Sequence, residues 1–454
     1  MKVAFGTTPL SAALVLSLAV AGCHQSEVLG EDAMNAGAGA GMGAGMSAGM
    51  SAGMTGGGAA GMVANNSGTS GAGMGGSGAD TMSPDDMMNP DDMMPGDCAV
   101  AHVAAGGDST CAVTVTGALY CWGRNAVTEV IDTRPERVTG IMGDVVAVSV
   151  SMGFACALVE QGYVWCWGIN DHGQLGTGTS DDERAPVIVA DLDDVEQIET
   201  GFNRACAIKG NGEVWCWGAH SLSAEEADID RTPVRVWDRA EKAVQVSAGL
   251  EHVCVRDENG GVHCMGSNVY GQLGAGTDLS SEEWLTVDLV ATDISAGFEH
   301  TCAIDEASDV WCWGRADEGQ IGDGTTGEEL SNAMVTGRPT PVRVDGVSNA
   351  RAIHATAYYS CAVPWMGPTR CWGTNQFGAL GYGQGEIGEV KLSPVDATAL
   401  DFYLPQLAAG ADHRCVVRDS GELVCWGANS YGAVGDGTLE HRFEPVSISG
   451  LACD

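Results

Sequence analysis

The chain has 454 residues, with 60 acidic against 21 basic side chains and a formal charge of −39 at neutral pH. A surface this acidic repels phosphate backbones, which argues against a nucleic-acid partner. Seventeen cysteines are more than a reducing compartment sustains as disulfides, so the chain reads as exported.

Residues 1–22 have the form of a secretory signal. One lysine, Lys2, precedes an apolar stretch from Leu10 to Ala21, and Val20-Ala21-Gly22 stands directly before Cys23. Small residues followed at once by cysteine make a lipoprotein cleavage box, so Cys23 is the expected lipidation site. Acyl chains there would hold the protein on a membrane without spanning it. No other stretch is long and apolar enough to cross a bilayer. The expected location is a bacterial cell envelope, on the outer membrane or the cell surface.

Residues 23–97, beginning at the lipidated cysteine, are built chiefly of Gly, Ala, Met, Ser and Asp and contain no aromatic residue. Such a segment has little with which to form a core and reads as a disordered tether. Its r.m.s. reach as a glycine-rich coil is roughly 45–50 Å. The final part, PDDMMNPDDMMPGD, combines acidic pairs with methionines, and thioethers suit copper(I). The acidic-tether reading is preferred, and no metal or cofactor is assigned.

From residue 98 to 454 the sequence is governed by cysteine spacing. Seven pairs have nine intervening residues each: Cys111 with Cys121, Cys156 with Cys166, Cys206 with Cys216, Cys254 with Cys264, Cys302 with Cys312, Cys361 with Cys371, and Cys415 with Cys425. First members recur every 45 to 59 residues, so the chain holds seven copies of one unit. Around Cys302, Thr301-Cys302-Ala303-Ile304 and Val310-Trp311-Cys312-Trp313 alternate faces with period two, as strands of a hairpin do. Cross-strand cysteines in a non-hydrogen-bonded pair are close enough for a disulfide, contributing roughly 3 kcal/mol for so short a loop in the entropy model. Structural zinc is the competing reading, but no C-x-x-C occurs.

Cys98 and Cys453 are placed by register. In five units a proline precedes the next first cysteine by 20 or 21 residues, as Pro135 precedes Cys156 and Pro394 precedes Cys415. Cys453 lies 8 residues after the last such proline, Pro445, and Cys98 lies 13 before Cys111. Both therefore occupy one point of the repeat frame. The expectation is a closed ring with a Cys98–Cys453 disulfide at its seam. The strand EPVSI (444–448) is expected to complete the unit that the N-terminus begins, so that the chain ends are joined by strand pairing.

Nine of the twelve tryptophans flank the second cysteine of a unit and are read as core between units. Five units carry a glycine-spaced turn, such as GQLGTGT (173–179) and GQIGDGT (319–325). Repetition, with no P-loop lysine, marks these as turns rather than phosphate cradles. His252, His300 and His413 share one repeat position, two residues before a first cysteine. Hydrogen bonding to loops is preferred there over a metal cluster. Residues 324–340 form the longest excursion between units and are a candidate recognition loop. No nucleophile–base constellation stands out, so the chain is not read as an enzyme.

The text A-G-x-x-H-T-C-A-I, V-W-C-W-G, G-Q-L-G-x-G-T and P-V-x-V resembles the regulator-of-chromosome-condensation repeat family across essentially all of 98–454. The resemblance implies an all-β fold, a seven-bladed β-propeller closed by pairing its two chain ends. Units one and three lack the G-Q-L-G turn, and unit four has His263 and Met265 where tryptophans normally sit, so those blades are expected to be irregular. One family role, guanine-nucleotide exchange on a small nuclear GTPase, conflicts with export and with the acidic charge. Similar exported bacterial propellers bind and inhibit β-lactamases through one face of the ring. The expected function is therefore a membrane-anchored protein-binding module, inhibitor-like, monomeric, with an extracytoplasmic partner of basic surface. The alternative is an exported propeller enzyme, a lyase or hydrolase working in the central channel.

Overall fold

The computed structural model describes residues 98–219, 229–330, 335–382, 388–398 and 406–453. The expected signal segment 1–22, the expected lipidation site Cys23 and the expected tether up to residue 97 lie outside the described residues.

Each cysteine hairpin is the middle of a four-strand antiparallel meander. In unit two the strands are Val145–Val150, Phe154–Val159, Val164–Gly168 and Glu183–Ile188, hydrogen-bonded in sequence order. The strand bearing the first cysteine is buried along its whole length, whereas the fourth strand is at least partly exposed throughout. The first strands of units one to six lie against one another in succession, and that of unit one also touches that of unit seven. First strands therefore form an inner wall and fourth strands an outer rim, the architecture of an all-β propeller. Each hydrophobic cluster draws on two neighbouring units; one joins Val103 and Trp122 of unit one to Cys415, Cys425 and Val434 of unit seven.

Five sheets have four strands and one has eight. The eight-stranded sheet arises because Ser281–Ala296 is one continuous strand of 16 residues. Its first half pairs with the second-cysteine strand of unit four, Leu285 opposite Cys264. Its second half pairs with the first-cysteine strand of unit five, Ser295 opposite Cys302. The sequence SEEWLTVDLVATDISA has neither proline nor glycine to break it, unlike the other outer strands. Unit four is thus irregular, joined to unit five, while units one and three form four-stranded sheets like units two, six and seven.

The two cysteines of each local pair face each other directly across the hairpin, as Cys156 faces Cys166 and Cys206 faces Cys216. All seven pairs are bridged: Cys111 to Cys121, Cys156 to Cys166, Cys206 to Cys216, Cys254 to Cys264, Cys302 to Cys312, Cys361 to Cys371, and Cys415 to Cys425. Their Cα atoms are 4.1 Å apart in every case. In unit three, which lacks the glycine-spaced turn, the Cys206–Cys216 bridge is nonetheless formed and buried, packed in a cluster with Trp237 and Val253. Cys98 and Cys453 are also bridged, with Cα atoms 4.8 Å apart.

The ends do not exchange a strand. Arg442–Ser447, which contains most of EPVSI, is the outer strand of unit seven, with Val446 opposite Cys425. Unit one supplies its own outer strand, Ile131–Arg137. The Pro-Val strand belongs to the cysteine hairpin before it, not after it. Proline has no N–H for a central ladder, and the outer rim is the position where that lack costs nothing. The register arithmetic held for the cysteines because they sit where other units have the linker between sheets. The seam is closed by the disulfide, by Cys98 N–H donating to Leu451 O (2.5 Å), and by the Tyr120 hydroxyl donating to Ala452 O (3.2 Å).

Candidate binding face at the channel mouth

The turns joining first to second strands gather at one end of the inner wall. Neighbouring backbones come so close there that side chains are excluded. A Cβ on Gly201 would lie 2.6 Å from Gly249 O, the equivalent glycine of the next unit. Backbone hydrogen bonds cross between these turns, Leu250 N–H to Phe298 O and Phe298 N–H to Thr356 O, each 3.0 Å. The mouth is therefore a rigid platform.

The residue just before the shared histidine position projects from these turns. It is Asp108, Glu251, Glu299 and Asp412 in units one, four, five and seven, and Tyr358 in unit six. Burial pushes the Asp412 carboxyl up to about 6, and Asp108 beside it pushes in the same direction. Asp108 is raised by burial, partly offset by Arg124. Glu299 is raised by burial, which its 2.7 Å ion pair with Arg315 only partly offsets. Arg315 also binds Asp317 at 2.6 Å and lies over the rings of Tyr270 and Tyr358, 5.2 and 5.4 Å from their centroids. Arg124 repeats this arrangement over Tyr431 at 5.2 Å, paired with Glu129 at 2.7 Å. Crowded, partly desolvated carboxylates gain from an added cation, and tyrosine and arginine dominate the energetics of protein interfaces. The arrangement suits a basic polypeptide segment. Sequence reasoning singled out the histidine column and passed over the acids immediately before it, although they share its register.

The histidines fasten one unit to the next. His252 Nε2 lies 2.9 Å from Thr301 Oγ1, His300 Nε2 lies 2.8 Å from Ser360 Oγ, and His413 Nε2 lies 2.7 Å from Thr110 Oγ1. Each hydroxyl donates its own proton to a turn carbonyl, that of Gln272, Gln320 or Ala433. The imidazole must then donate from Nε2. The same carbonyls accept the indole N–H of Trp313, Trp372 and Trp122, each at 2.9 Å. Histidine, hydroxyl, carbonyl and tryptophan form one clamp at each of these three joints. The clamp with His413 and Thr110 closes unit seven onto unit one as the others close internal joints. Burial drives His252 and His300 down to about 3 and His413 to about 4, so all three are neutral at physiological pH. Their partners lie in the neighbouring unit, and no group of three metal-binding side chains occurs among the described residues.

Two joints differ. Between units six and seven, buried Arg414 covers the Tyr359 ring at 4.0 Å and donates to Cys371 Sγ at 3.3 Å. Between units two and three only the tryptophan remains, Trp217 donating to Gln174 O at 2.9 Å. The glycine-spaced turns thus serve as carbonyl platforms. The 324–340 excursion begins as a two-residue ribbon, Glu328 opposite Gly337 and Glu329 opposite Thr336, and its residues 331–334 lie outside the described residues.

A family model described as RCC1-like domain matches residues 127–453, and one described as regulator of chromosome condensation (RCC1) repeat matches residues 100–127. Human E3 ubiquitin-protein ligase HERC2 is 35% identical over 102 residues, 20% of this chain and 2% of that protein. The ultraviolet-B receptor UVR8 of Arabidopsis thaliana is 30% identical over 112 residues, 24% of this chain and 25% of the receptor. The chain thus spans a quarter or less of either relative. Among solved structures, Prp20p of Saccharomyces cerevisiae, studied for its binding to Gsp1p and histones, superposes with a TM-score of 0.63 at 22% identity. That match covers 78% of this chain and 88% of Prp20p. Human WBSCR16 gives a TM-score of 0.60 at 20% identity over 70% of this chain and 85% of its own. At these identities the structures show a shared fold. With both models together running from residue 100 to 453, the chain belongs to the RCC1-like family of repeat propellers.

Proposed function

We propose that this protein is an exported, lipid-anchored ring of seven blades that holds another protein, one with a basic segment, at the mouth of its central channel. The blade count takes the eight-stranded sheet as two blades sharing the strand Ser281–Ala296, since it carries two complete cysteine hairpins. The observation that carries the binding reading is the arc of Asp108, Glu251, Glu299 and Asp412 set among Tyr270, Tyr358 and Tyr431 on a rigid platform. Burial has already raised three of those carboxyls, and a partner's lysine or arginine would relieve that cost. The histidines that a channel enzyme would need are buried and engaged in joints between units. Export is supported by the disulfide-bonded cysteines, and anchoring by the Val20-Ala21-Gly22-Cys23 sequence.

The test is capture from an envelope extract by the full chain, compared with a variant carrying Asp108→Asn, Glu251→Gln and Asp412→Asn. The wild type should retain a partner that the variant loses, and added salt should weaken retention. Equal retention by both chains, or no specific partner for either, refutes the reading.

A further inference from the structure

In four joints the glycine-spaced turn performs the same two tasks. Its apolar residue, Leu175, Leu273, Ile321 or Val434, is fully buried among its own unit's disulfide and the next unit's tryptophan. Its carbonyl accepts that tryptophan's indole N–H at 2.9 Å. A glycine is required beside the indole, because a Cβ at Gly274 or Gly322 would lie 2.6 Å from its nitrogen. Turn and tryptophan are complementary halves of one contact.

The joint between units one and two has the tryptophan without the turn. Unit one passes to its outer strand through a short loop closed on itself, with Asn125 Oδ1 accepting from Val127 N–H (3.1 Å) and Thr128 N–H (3.0 Å). Where the turn's apolar residue would sit, a cavity of about 90 Å³ is lined by Cys111 and Cys121 on one side and Trp167 and Phe154 on the other. Cys121 and Trp167 are left half-buried, whereas second cysteines and tryptophans in the complete joints are buried. The cavity is also lined by Asp132, Glu183 and Arg124, and the guanidinium of Arg124 is already paired with Glu129 at 2.7 Å.

We infer that this slot is a docking site for an exposed turn of a partner protein. The turn carries leucine, isoleucine or valine beside glycine, with lysine or arginine flanking it. The aliphatic side chain fills the space between the Cys111–Cys121 disulfide and Trp167. A turn carbonyl accepts the Trp167 indole N–H, as Gln174 O does for Trp217, and the basic flanks meet Asp132 and Glu183. This rests on the protein-binding function proposed above and names a second subsite for it.

The probe is a cyclic peptide copying residues 268–277 (NVYGQLGAGT), with a lysine added at each flank. The full chain is labelled with 5-fluorotryptophan, and the Trp167 fluorine signal is identified by its loss in Trp167→Phe. Peptide should move that signal saturably with a midpoint below about 1 mM, leaving those of Trp313 and Trp372 in place. Replacing the peptide's leucine by glycine should weaken binding at least ~10-fold, the worth of one buried leucine side chain. No movement at about 1 mM peptide, or equal movement with the glycine peptide, overturns the inference. Because the peptide is read at Trp167 and the envelope partner through Asp108, Glu251 and Asp412, the slot can fail while the mouth stands, and the reverse.

Discussion

The joint between units seven and one is built like the joints between units four and five and between five and six, so weakening it should cost what weakening either of those costs. Thr110→Val removes one hydroxyl at nearly constant volume. The His413 Nε2–H then loses its acceptor in a site where both residues are buried, while Ala433 O keeps Trp122 as a donor. Stranding a buried donor costs about 1–3 kcal/mol. For a domain of this size, unfolding entropy converts that to a fall of roughly 1–4 °C in melting temperature. Thr301→Val makes the same change at the joint between units four and five, stranding His252 and leaving Trp313 on Gln272 O. The two variants should therefore melt within about 1 °C of each other. Cys98→Ser with Cys453→Ser removes the covalent clasp across 355 residues, worth up to about 5–6 kcal/mol in the entropy model. Calorimetry of all three under non-reducing conditions is the assay. If Thr301→Val lowers the melting temperature and Thr110→Val does not, the seam is not closed in solution and the ring is open between units seven and one.

The clamp also predicts a pH dependence. His300 in the folded chain is held at about 3, below its ordinary 6.5, by burial, with the charges of His252 and Arg315 as lesser causes. As pH falls below about 6.5 the unfolded chain takes up a proton that the folded chain refuses, so stability is complete above that pH and lost below it, by about 1.4 kcal/mol per pH unit. His300→Gln, whose amide can still donate to Ser360, should flatten the stability profile between pH 6 and 4 by about that slope; parallel profiles would show that the imidazole is not buried and neutral. Cys23→Ser should abolish acyl labelling and move the protein out of the membrane fraction, and a variant that stays membrane-bound would mean that lipid is not the anchor.

Cysteine spacing, alternation and turn glycines are properties within one unit, where contacting residues are about ten positions apart, and the sequence displays them directly. Nine residues between cysteines determined seven hairpins, and counting from Pro445 to Cys453 and from Cys98 to Cys111 determined which cysteines meet at the seam. Even unit three, without its glycine-spaced turn, keeps Cys206 opposite Cys216, because that pairing depends on the hairpin alone. Proline in the P-V strand was a legible sign of an outer strand, yet its allegiance to the preceding hairpin depended on which of two flanking connections is the tight one. Only the tertiary structure decided that Val446 lies opposite Cys425. It alone decided that His252, Thr301, Gln272 and Trp313 are one clamp, and that the missing turn of unit one opens a slot beside Trp167 of unit two. Such contacts join residues up to about 60 positions apart within the chain, and across the seam more than 300. No local periodicity records them, because the identity of each partner is fixed by the curvature that brings one sheet's face against the next.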